Sequence, residues 1–208
     1  TSEVYGSAQY IPIDENHPLV GQSPYSASKI AADQLAISFN KSFNLPVSIV
    51  RPFNTFGPRQ SSRAIIPSII SQVLLNNKSI NLGYIDSTRD FNYVTDIVEA
   101  FYQTSKSSKA IGEVINFGSG YEISIKELSQ LIMKIIGKKL VVKTEIKRFR
   151  PKDSEVQRLN ANASKAKKLT KWKPKFVGKK GFKNALENTI NWFSKKENIN
   201  FYDNKYII

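Results

Sequence analysis

The feature that most restricts this chain is the junction near residue 44, where a capped helical pattern gives way at once to the apolar, β-branched run Leu45–Val50. Ser23 supplies a capping side chain, and Pro24 suits the first helical position because its missing N–H would find no partner there anyway. Ile30, Leu35, Ala36, Phe39 and Phe43 then recur at helical spacing and predict a helix to about Phe43. A run that stays apolar without alternating belongs to a strand covered on both faces, the setting of a parallel sheet. Further helices are expected over Ala64–Asn76, over Val94–Ser105, from a Ser124 cap to Gly137, over Ser164–Leu169 and over Gly181–Lys195. Strands are expected over Ser79–Tyr84, Glu113–Phe117 and Leu140–Thr144. Thr1–Gly6 reads as a strand end running into a loop, residues 7–22 as irregular, Arg51–Ser62 as a loop and residues 146–160 as mixed. Strands alternating with helices give an α/β fold.

A chain of 208 residues can bury a real core, in one domain or in one domain with a smaller lobe. No apolar run is long enough to span a membrane, and no charged start leads into a short apolar stretch. Neither a transmembrane segment nor a signal peptide is therefore expected. The absence of cysteine excludes disulfides, thiolate metal sites and a cysteine nucleophile, and it fits a reducing cytoplasm. His17 is the single histidine, which leaves little for a zinc site or a Ser-His-Asp triad, and no metal site is expected. The net charge of +14 asks for an anionic partner: nucleic acid, an acidic membrane surface or a phosphorylated small ligand. Most basic residues follow Lys134, many as pairs such as Lys138-Lys139, Lys167-Lys168 and Lys179-Lys180. That pattern reads as a solvated basic face. Aromatic residues do not interleave with it as a nucleic-acid stacking platform would require.

Chemistry enters with Tyr25-Ser-Ala-Ser-Lys29. Residues four apart on a helix share a face. A phenol is a poor base at neutral pH, but an ammonium group one turn away stabilises the phenolate. Such a pair can take a proton from a hydroxyl while hydride leaves the same carbon. Around it stand Thr1-Ser2-Glu3-Val4-Tyr5-Gly6, Ser23-Pro24-Tyr25, Arg51-Pro52-Phe53-Asn54-Thr55-Phe56-Gly57-Pro58-Arg59-Gln60, Arg89-Asp90-Phe91 with Val94 and Asp96, Asn116-Phe117-Gly118-Ser119-Gly120, Arg150-Pro151-Lys152-Asp153 and Trp172-Lys173-Pro174. In this order over nearly the whole chain, these stretches resemble the extended short-chain dehydrogenase/reductases that act on nucleotide sugars.

The resemblance carries further expectations. NAD is the implied cofactor, with Tyr25, Lys29 and Pro52 at its nicotinamide end. The family's Gly-rich pyrophosphate turn is missing; Gly118 and Gly120 lack a third glycine and follow the wrong strand. The chain thus looks like part of a longer protein that should not hold NAD tightly by itself, and Leu45–Val50 should lack its usual sheet neighbours. Residues 1–60 would be the remainder of the NAD-binding domain, and 61–208 mainly a substrate lobe with segments returning. Thr1 would donate to the C4 oxygen of a hexose and Tyr25 would take its proton. Glu3 stands where the family's 4,6-dehydratases carry the base for the C5 proton. Where dTDP-glucose dehydratases have an Asp, this chain has Ser2, as in the GDP-mannose type, which argues against dTDP-glucose. Asn54, Arg89 and Arg150 match residues that contact the sugar diphosphate, Asp153 would accept from ribose hydroxyls, and Asn116, Ile65 and Ile66 are candidates for the nucleotide. Asp90 and Asp96 are expected to fix local structure, and Trp172 and Trp192 to be core. The implied activity is a 4,6-dehydratase on UDP- or GDP-linked N-acetylglucosamine, in cell-surface polysaccharide biosynthesis and as a homodimer. A nucleotide-sugar 4-epimerase is the alternative within the family. A basic nucleic-acid-binding module and an inactive binding protein are the alternatives outside it.

Overall fold

The computed structural model describes residues 1–202. Helices form where the sequence supplies caps. Helix α1, Pro24–Phe43, opens on a reciprocal box in which Ser23 and Ser26 each bond the other's backbone N–H, and it ends at Asn44 in the left-handed region. Strand β1, Ile49–Pro52, and the short β2, Thr55–Phe56, follow. Next come α2, Ile65–Leu75; β3, Ser79–Leu82; β4, Thr88–Asp90; β5, Asn92–Tyr93; and α3, Val94–Ser105. The second half holds β6, Val114–Phe117; β7, Glu122–Ser124; and α4, Ile125–Ile136, with a Ser124/Glu127 capping box and a left-handed Gly137. It closes with β8, Val141–Thr144; β9, Arg158–Leu159; α5, Ser164–Thr170; α6, Gly178–Phe193; and α7, Lys196–Ile199.

The pairing is mostly parallel. β1 runs beside β6 with Arg51 opposite Asn116, β2 beside β5, and β3 beside β8. β4 lies between antiparallel β7 and parallel β9. The main core joins α2, α4 and α6 over Phe56, Phe91 and Ile80. A second cluster gathers Val4, Tyr5, Ile13, Phe53 and Leu159, and a third packs Trp172 on Ile97, Ile115 and Phe117. Each fully buried apolar side chain contributes roughly 1.5–3 kcal/mol relative to exposure. Among the described residues no helix is long and apolar enough to cross a membrane.

Three expectations need correction. Thr1–Gly6 is not a strand end: Ser2–Tyr5 is a 3₁₀ turn, closed by Glu3 N–H donating to Thr1 Oγ1 and Gly6 N–H donating to the Glu3 carbonyl. The strand expected at Leu45–Val50 starts four residues later and reaches Pro52, because its partner β6 begins at Val114, opposite Ile49. That partner also means the strand keeps one sheet neighbour. Arg51–Ser62 is not wholly loop, since it includes the end of β1 and all of β2. The helical spacing of α1 holds, and its apolar stripe lies largely uncovered: Leu35 is 60%, Phe39 43% and Phe43 72% exposed.

Two acidic residues and one glycine turn hold the strand ends together. The fully buried Asp90 carboxylate accepts from Ser119 N–H and Oγ, Gly120 N–H, Ala161 N–H and Asn92 Nδ2. A side chain at Gly118 would put its Cβ 2.8 Å from Asp90 Oδ2 and 2.2 Å from Ala161 Cβ, so glycine is required for this close approach. The Gly118-Ser119-Gly120 turn therefore cradles an internal carboxylate. Asp96 accepts from the N–H groups of Lys175 and Phe176, while its carbonyl takes the Trp172 indole N–H. Trp172 is fully buried, and Trp192 is half-buried against the main core.

Candidate active site

The 3₁₀ turn Ser2–Tyr5, the loop after β1, the start of α2, β4 and the segment 148–155 converge on one cavity of about 380 Å³. Glu3, Asn54, Ile65, Ile66, Arg89 and Arg150 all line it. These six expected site residues come from five separate stretches of sequence, and folding brings them to one cavity.

The charges are arranged in pairs. Arg89 Nη2 lies 3.3 Å from Glu155 Oε1, and Arg150 Nη1 lies 3.7 Å from Glu3 Oε1. Burial pulls the Arg89 guanidinium below its ordinary pKa, and the Glu155 carboxylate beside it opposes that. It stays charged in any case, since arginine is not deprotonated in proteins. Arg63 and Arg148 add two more guanidinium groups to the lining, so cations outnumber the two carboxylates. Arginine forks suit a diphosphate because they offer paired N–H donors. Two polar atoms of the wall, Asn54 Oδ1 and Gln60 Oε1, are buried without a hydrogen-bond partner. A buried acceptor left unpaired costs about 1–3 kcal/mol, which a ligand hydroxyl or N–H would recover.

Other expected residues lie elsewhere. Tyr25 and Lys29 are on the exposed side of α1, with Lys29 Nζ 5.7 Å from the Tyr25 ring centre. Neither side chain forms a hydrogen bond or ion pair among the described residues, while the Tyr25 carbonyl accepts from Ser28 Oγ. They do not line the cavity. Ser2 is buried beneath the turn, and Pro52 is half-buried at the end of β1. Asp153 is exposed, and its carbonyl accepts from Gln22 Nε2. Asn116 is fully buried away from the cavity; its Oδ1 accepts from the Tyr5 hydroxyl at 2.7 Å and its Nδ2 donates to the Ile13 carbonyl. His17 is buried too, accepting from Gln9 N–H at Nε2 with Nδ1 against the Pro18 carbonyl. Among the described residues no cluster of three or more ligating side chains could hold a metal.

Sequence reasoning missed Gln60, Arg63, Tyr84, Arg148 and Glu155 as cavity residues. Gln60 closes a motif already singled out, and Arg148 stands two before Arg150, at the end of a 3₁₀ turn over Ile146–Arg148. Those spacings were the available signal. Nothing in the sequence marked Tyr84.

Known proteins resemble this chain in sequence and fold. The family model described as GDP-mannose 4,6 dehydratase matches residues 1–185. A putative UDP-glucose 4-epimerase of Methanocaldococcus jannaschii is 33% identical over 192 residues, covering 91% of this chain and 59% of that protein. The human dTDP-D-glucose 4,6-dehydratase is 32% identical over 200 residues, covering 92% and 56%. The crystal structure of dTDP-glucose 4,6-dehydratase from Bacillus anthracis, in complex with NAD, superposes with a TM-score of 0.82 at 32% identity, covering 95% of this chain and 60% of that one. This chain thus spans under two thirds of the length of each. With its motifs in order, its parallel α/β fold and a family match over most of its length, the chain belongs to the GDP-mannose 4,6-dehydratase family of extended short-chain dehydrogenase/reductases.

Proposed function

We propose that this chain is the substrate-binding part of a nucleotide-sugar 4,6-dehydratase. The observation that carries the reading is the Glu3 carboxylate on the wall of a cavity that also presents Asn54, Arg89 and Arg150. A carboxylate beside an anion-binding wall suits the removal of a C5 proton from a hexose whose diphosphate is held by the arginines. Tyr25, with Lys29 one turn away, would take the C4 hydroxyl proton, and Thr1 would hold the C4 oxygen. NAD, when bound, would accept hydride from C4 and return it to C6. Tyr25, Lys29 and Pro52 would hold its nicotinamide end; the exposed, unpaired phenol and ammonium are free for that role. A Gly-rich pyrophosphate turn is not among these 208 residues.

The finer reading is a UDP- or GDP-linked N-acetylglucosamine, used for cell-surface polysaccharide in the cytoplasm by a homodimer. The orphaned Asn54 and Gln60 oxygens support a ligand rich in hydroxyl and N–H donors, and the exposed apolar stripe of α1 supports the dimer. A 4-epimerase is the second reading. It is favoured by the 33% identity to a putative UDP-glucose 4-epimerase, as high as that to the human dehydratase. The full-length protein, supplied with NAD+ and UDP- or GDP-N-acetylglucosamine, should release a 4-keto-6-deoxy sugar. A product inverted at C4 with C6 intact would decide for the epimerase.

A further inference from the structure

Outside the cavity lining runs a chain of polar groups that the proposed chemistry does not use. Arg51 is 2% exposed. Its Nε donates to Asp33 Oδ2 at 2.8 Å, and its Nη1 donates to the Tyr5 hydroxyl at 2.9 Å. The Arg51 guanidinium also lies 5.1 Å from the Tyr5 ring centre. The Tyr5 hydroxyl in turn donates to Asn116 Oδ1 at 2.7 Å, across the β1–β6 ladder from Arg51. Burial raises the Tyr5 pKa, so the phenol stays a neutral donor.

The two partners of Arg51 sit on the two elements that matter. Tyr5 lies two residues after Glu3 in the same 3₁₀ turn. Asp33 lies four residues after Lys29 and eight after Tyr25, on one stripe of α1. Among the described residues, no other side chain is hydrogen-bonded to both elements. A buried ion pair is weak evidence for stability, because an apolar group of like shape often serves as well. What such a pair does supply is a fixed register between the parts it joins.

We propose that Arg51 is a positioning residue that locks the Glu3 turn, through Tyr5, to the Tyr25–Lys29 helix, through Asp33. It touches no reacting atom itself. The inference rests on the dehydratase reading, since it assigns the C5 base to one element and the C4 base to the other.

The test uses the full-length protein with NAD+ and its nucleotide sugar. C4 oxidation is followed by transient NADH absorbance, and C5 exchange by deuterium uptake into the sugar. Tyr5→Phe frees the turn alone, so C5 exchange should fall about tenfold while C4 oxidation stays within about twofold. Asp33→Asn frees the helix, so oxidation should fall about tenfold and exchange should follow in step. KM should move less than about threefold in both, and Asp33→Glu should restore part of the rate. The double variant should lose less than the product of the single losses, because both act through one guanidinium. A merely structural role would lower the melting temperature of each variant and leave the ratio of exchange to oxidation at the wild-type value. That unchanged ratio in Tyr5→Phe, or multiplicative losses in the double variant, would overturn the proposal. Asp33 lies at a partly exposed edge, so its variant keeps the test open if Tyr5→Phe does not fold: C4 oxidation within about twofold of wild type in folded Asp33→Asn would also overturn the proposal. A wild-type enzyme that neither oxidises C4 nor exchanges C5 would instead sink the dehydratase reading beneath it.

Discussion

At the scale of single residues, the side chain with most at stake is Glu3. It is partly exposed, faces Arg150 and shares the cavity with Arg89. In the full-length protein, Glu3→Gln should abolish C5 deuterium exchange, at least about a hundredfold, and leave C4 oxidation measurable. Exchange that persists would remove Glu3 from its role. Asp96 makes the contrasting case. Its carboxylate closes two backbone N–H groups, of Lys175 and Phe176. Asp96→Ala leaves both donors stranded and should cost about 2–4 kcal/mol in urea unfolding, with no specific effect on ligand binding. The two residues were separable in the sequence because Glu3 stands between motif residues at the chain's start, whereas Asp96 opens a helix. Asn116 was not separable. Its motif pointed toward the nucleotide, yet its partners Tyr5 and Ile13 lie a hundred or more residues away in sequence and meet it only after β1 and β6 pair.

At the scale of elements, the small sheet β7-β4-β9 offers a pH test. Glu122 on β7 receives Thr88 Oγ1 from β4 and two N–H donors of Arg158 from β9, at 2.7 and 2.9 Å. Burial alone would raise the Glu122 pKa, but the Arg158 and Thr88 hydrogen bonds outweigh it and hold the carboxyl below its ordinary value. A depressed folded pKa means that the unfolded chain binds the proton first. The stabilisation is therefore complete above the unfolded value, near pH 4.3, and is lost as pH falls through the lower folded value. Arg158→Ala should cost about 1 kcal/mol at pH 7, and this difference from wild type should vanish in acid. Melting curves of both proteins across that range decide it. These three strands were invisible in the sequence, because two or three residues carry no periodicity. Helices α3 and α4 were readable to within a residue, since a local cap starts α4 and a local period describes both. Helix α6 begins three residues before the expected Gly181; its first turn carries no capping side chain that could have marked the start.

For the whole molecule, the notable surface is the outer stripe of α1. Leu35, Phe39 and Phe43 have the spacing of a core face but stay exposed, with Phe39 and Phe43 in ring contact at 5.5 Å. Exposed apolar patches mark surfaces that other protein covers. The chain should self-associate, and Phe39→Lys with Phe43→Lys should shift it toward monomer in light scattering while changing unfolding stability by less than about 1 kcal/mol. A large stability loss would mean that the stripe is packed within the fold. The charge of +14 predicts a second, independent behaviour. Any retention on nucleic acid should collapse as salt rises, whereas binding in the arginine-lined cavity should keep its preference for a nucleotide sugar over inorganic phosphate.

The sequence by itself determined the alternation of helices and parallel strands, the capped helix ends and the order of the motifs. Those properties come from neighbours within a few residues, where caps, periods and turn chemistry act. Tertiary structure alone decided that Glu3, Asn54, Arg89 and Arg150 share one cavity while Asn116 is buried behind Tyr5. It also decided that Gly118-Ser119-Gly120 cradles Asp90, and that the apolar face of α1 remains uncovered. Each of these depends on which distant segments come to lie side by side, and no local pattern encodes that distance.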